Sequence, residues 1–254
     1  MGEALVAGLL GAGWGEAAEI AVVEKVEARR QELADRFPGL VVAADVRAAD
    51  GAVVAVKPDD VEAACRALAA SGTPVVLSIA AGIALSSLEG WLGDDVRVVR
   101  AMPNTPALVG AGAAAIAGGA TATDDDMAWA EALLSAVGTV VRVPEHLLDA
   151  VTGLSGSGPA YVFLVAEALV DAGVLAGLPR ATSSALVVQT LLGSARLLAE
   201  SGQGPEALRA AVTSPGGTTA AGLQALEDRA VRAALIAAVQ AAAERSRRLG
   251  GGSD

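Results

Sequence analysis

Short runs of β-branched and aliphatic residues alternate with amphipathic stretches through the first half of the chain. That alternation predicts strands joined by crossover helices in a parallel sheet. Residues 19–23, 40–42, 51–56, 74–79 and 96–100 read as strands, and 111–117 and 139–143 read as later additions to the same sheet. Helices are expected between them over 25–36, 59–70, 85–91 and 123–137. Several are opened by Asp, Ser or Thr, side chains that accept hydrogen bonds from the free amides of a first turn. The predicted architecture of residues 1–144 is α/β and doubly wound, with a mostly parallel sheet.

From Pro144 onward the strand signals stop and long Ala- and Leu-rich segments take over. Helices are expected over 145–154, 159–175, 179–201, 205–212, 218–226 and 228–249, with 250–254 as a frayed tail. A second, all-helical domain therefore covers residues 145–254. The run Tyr161-Val162-Phe163-Leu164-Val165 is apolar all round its helix and has to be buried on more than one side. A small helical domain offers little interior for it, so an intimate homodimer is expected, against the alternative of close packing within one subunit.

Composition narrows the possibilities. Hydrophobic residues make up 53% of the chain, but aromatics only 2%. No spanning run of roughly 20 unbroken apolar residues is visible. Val75–Leu85 is short and Tyr161–Val170 is interrupted by Glu167, so no membrane partner is expected. No secretory signal is visible either, and a cytoplasmic location follows by default. The formal net charge of -11 and the scattered basic residues argue against nucleic acid as a partner. Cys65 and His146 are the sole residues of their types, which leaves a zinc site or a nucleophile–His triad without parts. Cys65 reads as a core filler and His146 as a surface residue.

The segment 205–227 carries the strongest chemical signal. A helix stops, Ser214-Pro215-Gly216-Gly217 turns, and a new helix opens near Thr218 with its amides facing the turn. Those amides and the hydroxyls of Ser214, Thr218 and Thr219 make a receptor for a carboxylate without a cationic side chain. The plain alternative is a glycine-rich inter-helix turn with threonine capping. Three further stretches stand out: Val54-Ala-Val-Lys-Pro58, Val99-Arg-Ala-Met-Pro-Asn-Thr-Pro106 and Asp149-Ala-Val-Thr-Gly-Leu-Ser-Gly-Ser-Gly-Pro-Ala-Tyr161. The first two end strands at the carboxyl edge of the sheet, where open α/β sheets bind ligands. A small residue at Ala55 lets a ligand approach the backbone, and Lys57 reads either as a phosphate contact or as a solvated strand end. Asn104 and Thr105 are placed either to bond a ligand or to close an Asx-type turn. Ser155–Pro159 resembles an anion cradle but reads better as a helix start with Pro159 in its first turn.

In this order, these four stretches resemble the pyrroline-5-carboxylate reductase family, and the similarity extends from Met1 to about Leu249. The resemblance implies a Rossmann-like domain followed by a helical substrate-binding and dimerisation domain. It implies reduction of 1-pyrroline-5-carboxylate to L-proline with a nicotinamide cofactor. On the family's pattern Ser214, Gly216, Gly217 and Thr218 bind the substrate carboxylate, and the Thr219 hydroxyl lies beside the ring nitrogen as the catalytic group. Glu145 matches a family acid that approaches the ring. Ala55, Val56, Lys57, Pro58, Ala80, Ala81, Met102, Asn104 and Thr105 match positions lining the cofactor.

The opening Met1-Gly2-Glu3-Ala4-Leu5 resembles the last glycine of the family's Gly-x-Gly-x-x-Gly turn and the helix after it. The strand and first two glycines of that motif are expected to be lacking, as when a methionine inside the motif is taken for a start. Two neighbouring strands then lose a ladder partner, and cofactor binding is expected to be weak. Glu24 favours the ribose hydroxyl of NAD, whereas Lys25, Arg29 and Arg30 favour the extra phosphate of NADP. Family usage tips the expectation to NADP, with NAD as the alternative. A non-catalytic dimeric scaffold that has lost its cofactor is the rival to the enzyme.

Overall fold

The computed structural model describes residues 1–251. The last three residues of the expected tail lie outside the described ones. In chain order the first half comprises α1 (Gly2–Gly11), β1 (Ala21–Val23), α2 (Glu27–Arg36), β2 (Val41–Ala43), β3 (Ala52–Val54), α3 (Val61–Ser71), β4 (Val75–Ser78), α4 (Leu85–Leu92), β5 (Arg97–Met102), β6 (Gly112–Gly118), α5 (Asp124–Ser135) and β7 (Gly138–Arg142). Then follow α6 (Leu148–Val151), α7 (Gly158–Leu175), α8 (Arg180–Glu200), α9 (Pro205–Ala211), α10 (Thr218–Glu227) and α11 (Val231–Leu249). Contacts divide these elements into two compact units, Met1–Ser157 with the chain from Gln240 onward, and Gly158–Val239. Composition changes at Pro144, but the contacts keep residues 145–157 and the end of α11 with the sheet. Ser246 in α11 donates to the Asp149 carboxylate at 2.6 Å.

The larger sheet of the first unit has the order β3-β4-β5-β6-β7, parallel throughout except for β5 against β6. Side-chain alternation sends β4 and β5 to two cores at once. Val76 and Val98 pack with Val61, Cys65 and Leu68 of α3 and Leu85, Leu88 and Leu92 of α4. Leu77 and Val99 face the other way, onto Leu5 and Leu9 of α1 and Ala130, Leu133 and Leu134 of α5. Helices thus cover both faces, which is the doubly wound arrangement expected of a run of buried parallel strands. Burying a side chain such as Leu77 or Leu88 contributes roughly 1.5–3 kcal/mol. Burial pushes the Cys65 thiol up to about 11, so at neutral pH it is a neutral core filler, as its surroundings demand.

β1 and β2 form a separate parallel ladder. Among the described residues β1 pairs only with β2, and β3 only with β4. No ladder among the described residues joins β1 to β3.

Two elements differ from the sequence reading for identifiable reasons. A glycine-rich break was expected at 155–159, but Thr152–Gly156 forms a π-helical turn that carries the helix on into α7. The wider turn is held by side chains. Thr152 donates to the Leu148 carbonyl at 2.8 Å and Ser155 to the Val151 carbonyl at 3.1 Å. Because the run is continuous, Glu145–Leu175 is long and apolar enough, by length and composition, to cross a membrane, with mean hydropathy 1.5. At the other end of the helical region, α11 begins at Val231 and not at 228, because Ala230 takes a left-handed φ of 54° and closes a turn onto the Glu227 carbonyl.

In the second unit α7 and α8 lie against each other. Ser183 donates to the Val170 carbonyl at 2.8 Å, and a Cβ at Gly173 would come within 2.1 Å of its hydroxyl oxygen, so only glycine permits this approach. The rest of α7 is bare. Phe163 is 66% exposed and Leu175 91%, and α8 adds exposed Leu186, Val188 and Leu192. Apolar surface of this extent on helix faces marks a contact site.

A polar lock secures the start of α5. Thr123 and Asp126 form a reciprocal capping box, and the Asp126 carboxylate also takes the Arg97 guanidinium of β5 at 2.9–3.0 Å. Burial alone would raise the Asp126 pKa, but the Thr123 hydrogen bonds and Arg97 outweigh it and hold it below the ordinary aspartate value. A depressed carboxylate contributes stability above its unfolded pKa, and that contribution disappears as pH falls through the folded value. Asp126→Asn is expected to lower unfolding free energy by about 1–2 kcal/mol at neutral pH. In urea unfolding at stepped pH the gap to the native chain should close below the ordinary aspartate pKa of about 3.9.

Candidate functional site

The carboxyl edge of the sheet gathers most of the residues that the sequence singles out for a cofactor. β3 ends at Val54, and Ala55, Val56, Lys57 and Pro58 follow as exposed chain, with Pro58 opening a short 3-10 turn. α1 begins beside it. A Cβ at Gly2 would lie 3.2 Å from that of Ala55, so the lack of a side chain lets the helix start sit close against the strand end. The first-turn amides of Gly2, Glu3 and Ala4 donate to no acceptor among the described residues. Amides unpaired at a helix start beside small residues at a strand end fit a dinucleotide's phosphates.

The other expected positions divide. Ala81 is exposed beyond the end of β4, whereas the Ala80 side chain is buried in the sheet core. Thr105 is exposed and Met102 half-buried. Asn104 is buried and its side chain is hydrogen-bonded at both its nitrogen and its oxygen. Its amide nitrogen donates to the Ser155 carbonyl at 3.0 Å, and its amide oxygen accepts from the Ala113 N–H at 2.8 Å. It thereby fastens the end of β5 to both β6 and the π turn. Nothing in the sequence signals that link, since the partners are distant in the chain.

Glu145 occupies a comparable position. One of its carboxylate oxygens accepts from the Leu85 N–H at 2.6 Å, capping α4, and from Arg100 at 2.8 Å. The Arg100 side chain is 11% exposed and that of Glu145 33%. Strand alternation puts Arg100 on the same face as Val98, under α4, and only the fold supplies it with an acid from 45 positions away. Glu145→Ala leaves that guanidinium half-buried without a counter-ion, so chemical denaturation should show a loss of about 1–3 kcal/mol.

The turn between α9 and α10, in the second unit, is built as its sequence suggests. Gly216 takes φ 68°, the left-handed conformation that glycine adopts without penalty, and Gly217 donates to the Ser214 carbonyl at 3.0 Å. α10 then opens with no side-chain cap. The N–H groups of Thr218, Thr219 and Ala220 find no acceptor among the described residues. Ser214 and Thr218 are exposed and Thr219 half-buried. The Thr213 hydroxyl is spent on the Arg209 carbonyl at 2.6 Å, which ties the approach to the turn back onto α9. Such a helix mouth holds a carboxylate through amides and hydroxyls, each dipole interaction contributing roughly 0.3–1 kcal/mol when exposed. His146, by contrast, is exposed in the turn before α6, as a surface residue is.

A doubly wound sheet with small residues at its carboxyl edge, followed by helices with a polar glycine mouth, defines a dinucleotide-binding oxidoreductase with a helical second region. Residues 145–249 match the model of pyrroline-5-carboxylate reductase dimerisation, and residues 1–82 that of NADP oxidoreductase, coenzyme F420-dependent. A pyrroline-5-carboxylate reductase of Synechocystis is 47% identical over 98% of this chain and 95% of its own. The solved structure of the Coxiella burnetii pyrroline-5-carboxylate reductase is 37% identical with a TM-score of 0.91, covering 98% of this chain and 94% of that one. The Plasmodium falciparum enzyme, solved with NADP bound, is 31% identical with a TM-score of 0.86 over the same shares. The chain belongs to the pyrroline-5-carboxylate reductase family. Its match to a dimerisation region accounts for the bare faces of α7 and α8, which are contact surface in a homo-oligomer.

Proposed function

We propose that the chain reduces 1-pyrroline-5-carboxylate to L-proline, with NADPH preferred to NADH, as a homodimer or a larger assembly of dimers in the cytoplasm. Family membership over nearly the whole chain, together with the unpaired amides at the mouth of α10, carries this reading. We assign the cofactor to residues 1–144 and the substrate and the contact between copies to residues 145–254. Neither nucleic acid nor membrane enters the proposal, since an acidic chain with scattered cations lacks a phosphate-tracking surface and the apolar helices face another copy.

The reduced dinucleotide supplies a hydride, which the C=N carbon accepts. Everything else falls to positioning and polarisation. Ser214 and the backbone from Gly216 to Thr219 fix the substrate carboxylate, which sets the ring's orientation. The Thr219 hydroxyl hydrogen-bonds the ring nitrogen and passes to it the proton that balances the hydride, replenished from water. Small residues at the strand ends leave room for the nicotinamide. Glu145 approaches the ring's ammonium once proline has formed, through the carboxylate oxygen that Leu85 and Arg100 leave unused.

Thr219→Ala is expected to lower turnover of pyrroline-5-carboxylate by about 10- to 100-fold, the worth of one hydrogen bond to a charged group. His146→Ala should change it little. Steady-state proline formation checks both, and native rates in the threonine variant would remove Thr219 from the mechanism.

A further inference from the structure

The turn between β1 and α2 and the start of α2 hold three basic residues, Lys25, Arg29 and Arg30, and the structure separates their roles. Arg29 is committed. Its guanidinium pairs with Glu32 at 2.6 Å and with Glu3 in the first turn of α1, and Glu32 and then Glu3 raise its pKa further above the ordinary value. Glu3 also pairs with Arg36, so one carboxylate joins α1 to two of the three arginines of α2.

Arg30 is placed differently. One guanidinium nitrogen donates to the Glu24 carbonyl at 2.9 Å and to the Lys25 carbonyl at 2.8 Å, anchoring the group on the chain that leaves β1. Its other nitrogens have no partner, and no carboxylate pairs with it among the described residues. In a chain with 29 acidic residues against 18 basic ones, a half-buried guanidinium without a counter-ion is an anion acceptor with its charge unspent. Lys25 adjoins it, 76% exposed and held only loosely by Asp60 at 3.6 Å. The acid that would discriminate for an unphosphorylated ribose is Glu24, and it is already in use locally. Glu24 uses a carboxylate oxygen to accept the Val26 N–H at 2.9 Å.

We infer that Arg30 is the specificity-determining residue of this chain, taking the 2′-phosphate of NADPH with Lys25 beside it, while Glu3 and Glu32 withhold Arg29 from the same phosphate. The inference rests on the proposal that a nicotinamide dinucleotide binds at this sheet edge. A ribose phosphate at the end of the second strand of such a fold is the charge that an arginine there accommodates. The bidentate geometry of guanidinium suits it better than a lysine's point charge.

The test is calorimetric titration of the full chain with NADPH, NADH and 2′,5′-ADP, alongside proline formation with each dinucleotide. Arg30→Ala should weaken NADPH and 2′,5′-ADP by about 10- to 100-fold while NADH stays within about twofold. Arg30→Lys should recover part of the loss, and Arg29→Gln should leave the ratio of NADPH to NADH affinity as it is. Equal weakening of NADPH and NADH in Arg30→Ala would mean that the residue only shapes the turn, and would overturn the inference. An unchanged ratio in that variant, a collapse of the ratio in Arg29→Gln, or native protein that binds neither dinucleotide would overturn it as well. If the native chain forms proline and the ratio ignores Arg30, only this inference falls. If the native chain forms none, the functional reading falls with it.

Discussion

Strands β4 and β5 are buried on both faces, and the arrangement of the first unit follows from that constraint. A parallel strand covered on two sides admits polar side chains only where the fold supplies them a partner, as it does for Arg97 and Arg100 of β5, so ligand chemistry is displaced to the chain just beyond its carboxyl end. Val76 and Val98 on one face and Leu77 and Val99 on the other leave no alternative. What lies beyond those ends is small, stiffened by proline, or hydrogen-bonded into place. Asn104 shows how much support an edge of this kind requires, since its side chain holds β6 and the π turn at once.

The electrostatics follow a consistent pattern in an acidic chain. Most arginines of the first unit are neutralised locally, Arg97 by Asp126, Arg100 by Glu145, Arg29 and Arg36 by Glu3. Anion recognition is left to backbone amides at helix starts, which carry no net charge and keep their orientation whatever the pH. A cation spared from pairing therefore acquires selective value, because its field is not cancelled nearby. Oriented amides for a carboxylate and a single guanidinium for an added phosphate are compatible solutions within one small protein.

Much of this was legible in the sequence, and the parts that were not have a common cause. Strand periods, proline and glycine punctuation and the Ser-Pro-Gly-Gly turn are local signals, and the strands β1 to β7 and the mouth of α10 lie where those signals put them. The continuity of α6, the π turn and α7 was not legible, because hydroxyls bonding back to carbonyls rescue a stretch whose glycines suggest a break. The engagement of Asn104, Glu145 and Arg29 was hidden for another reason. Each meets its partner across the fold, through packing that no residue spacing encodes. Nor does the sequence show that Ala80 packs into the core while its neighbour Ala81 reaches the surface.

The interrupted ladder between β1 and β3 has a consequence for handling the protein. Among the described residues no ladder protects the sides of β1 and β3 that lack a paired strand, so peptide hydrogens there should exchange with solvent faster than those of β4 or β5. Open strand margins also invite pairing with a foreign chain.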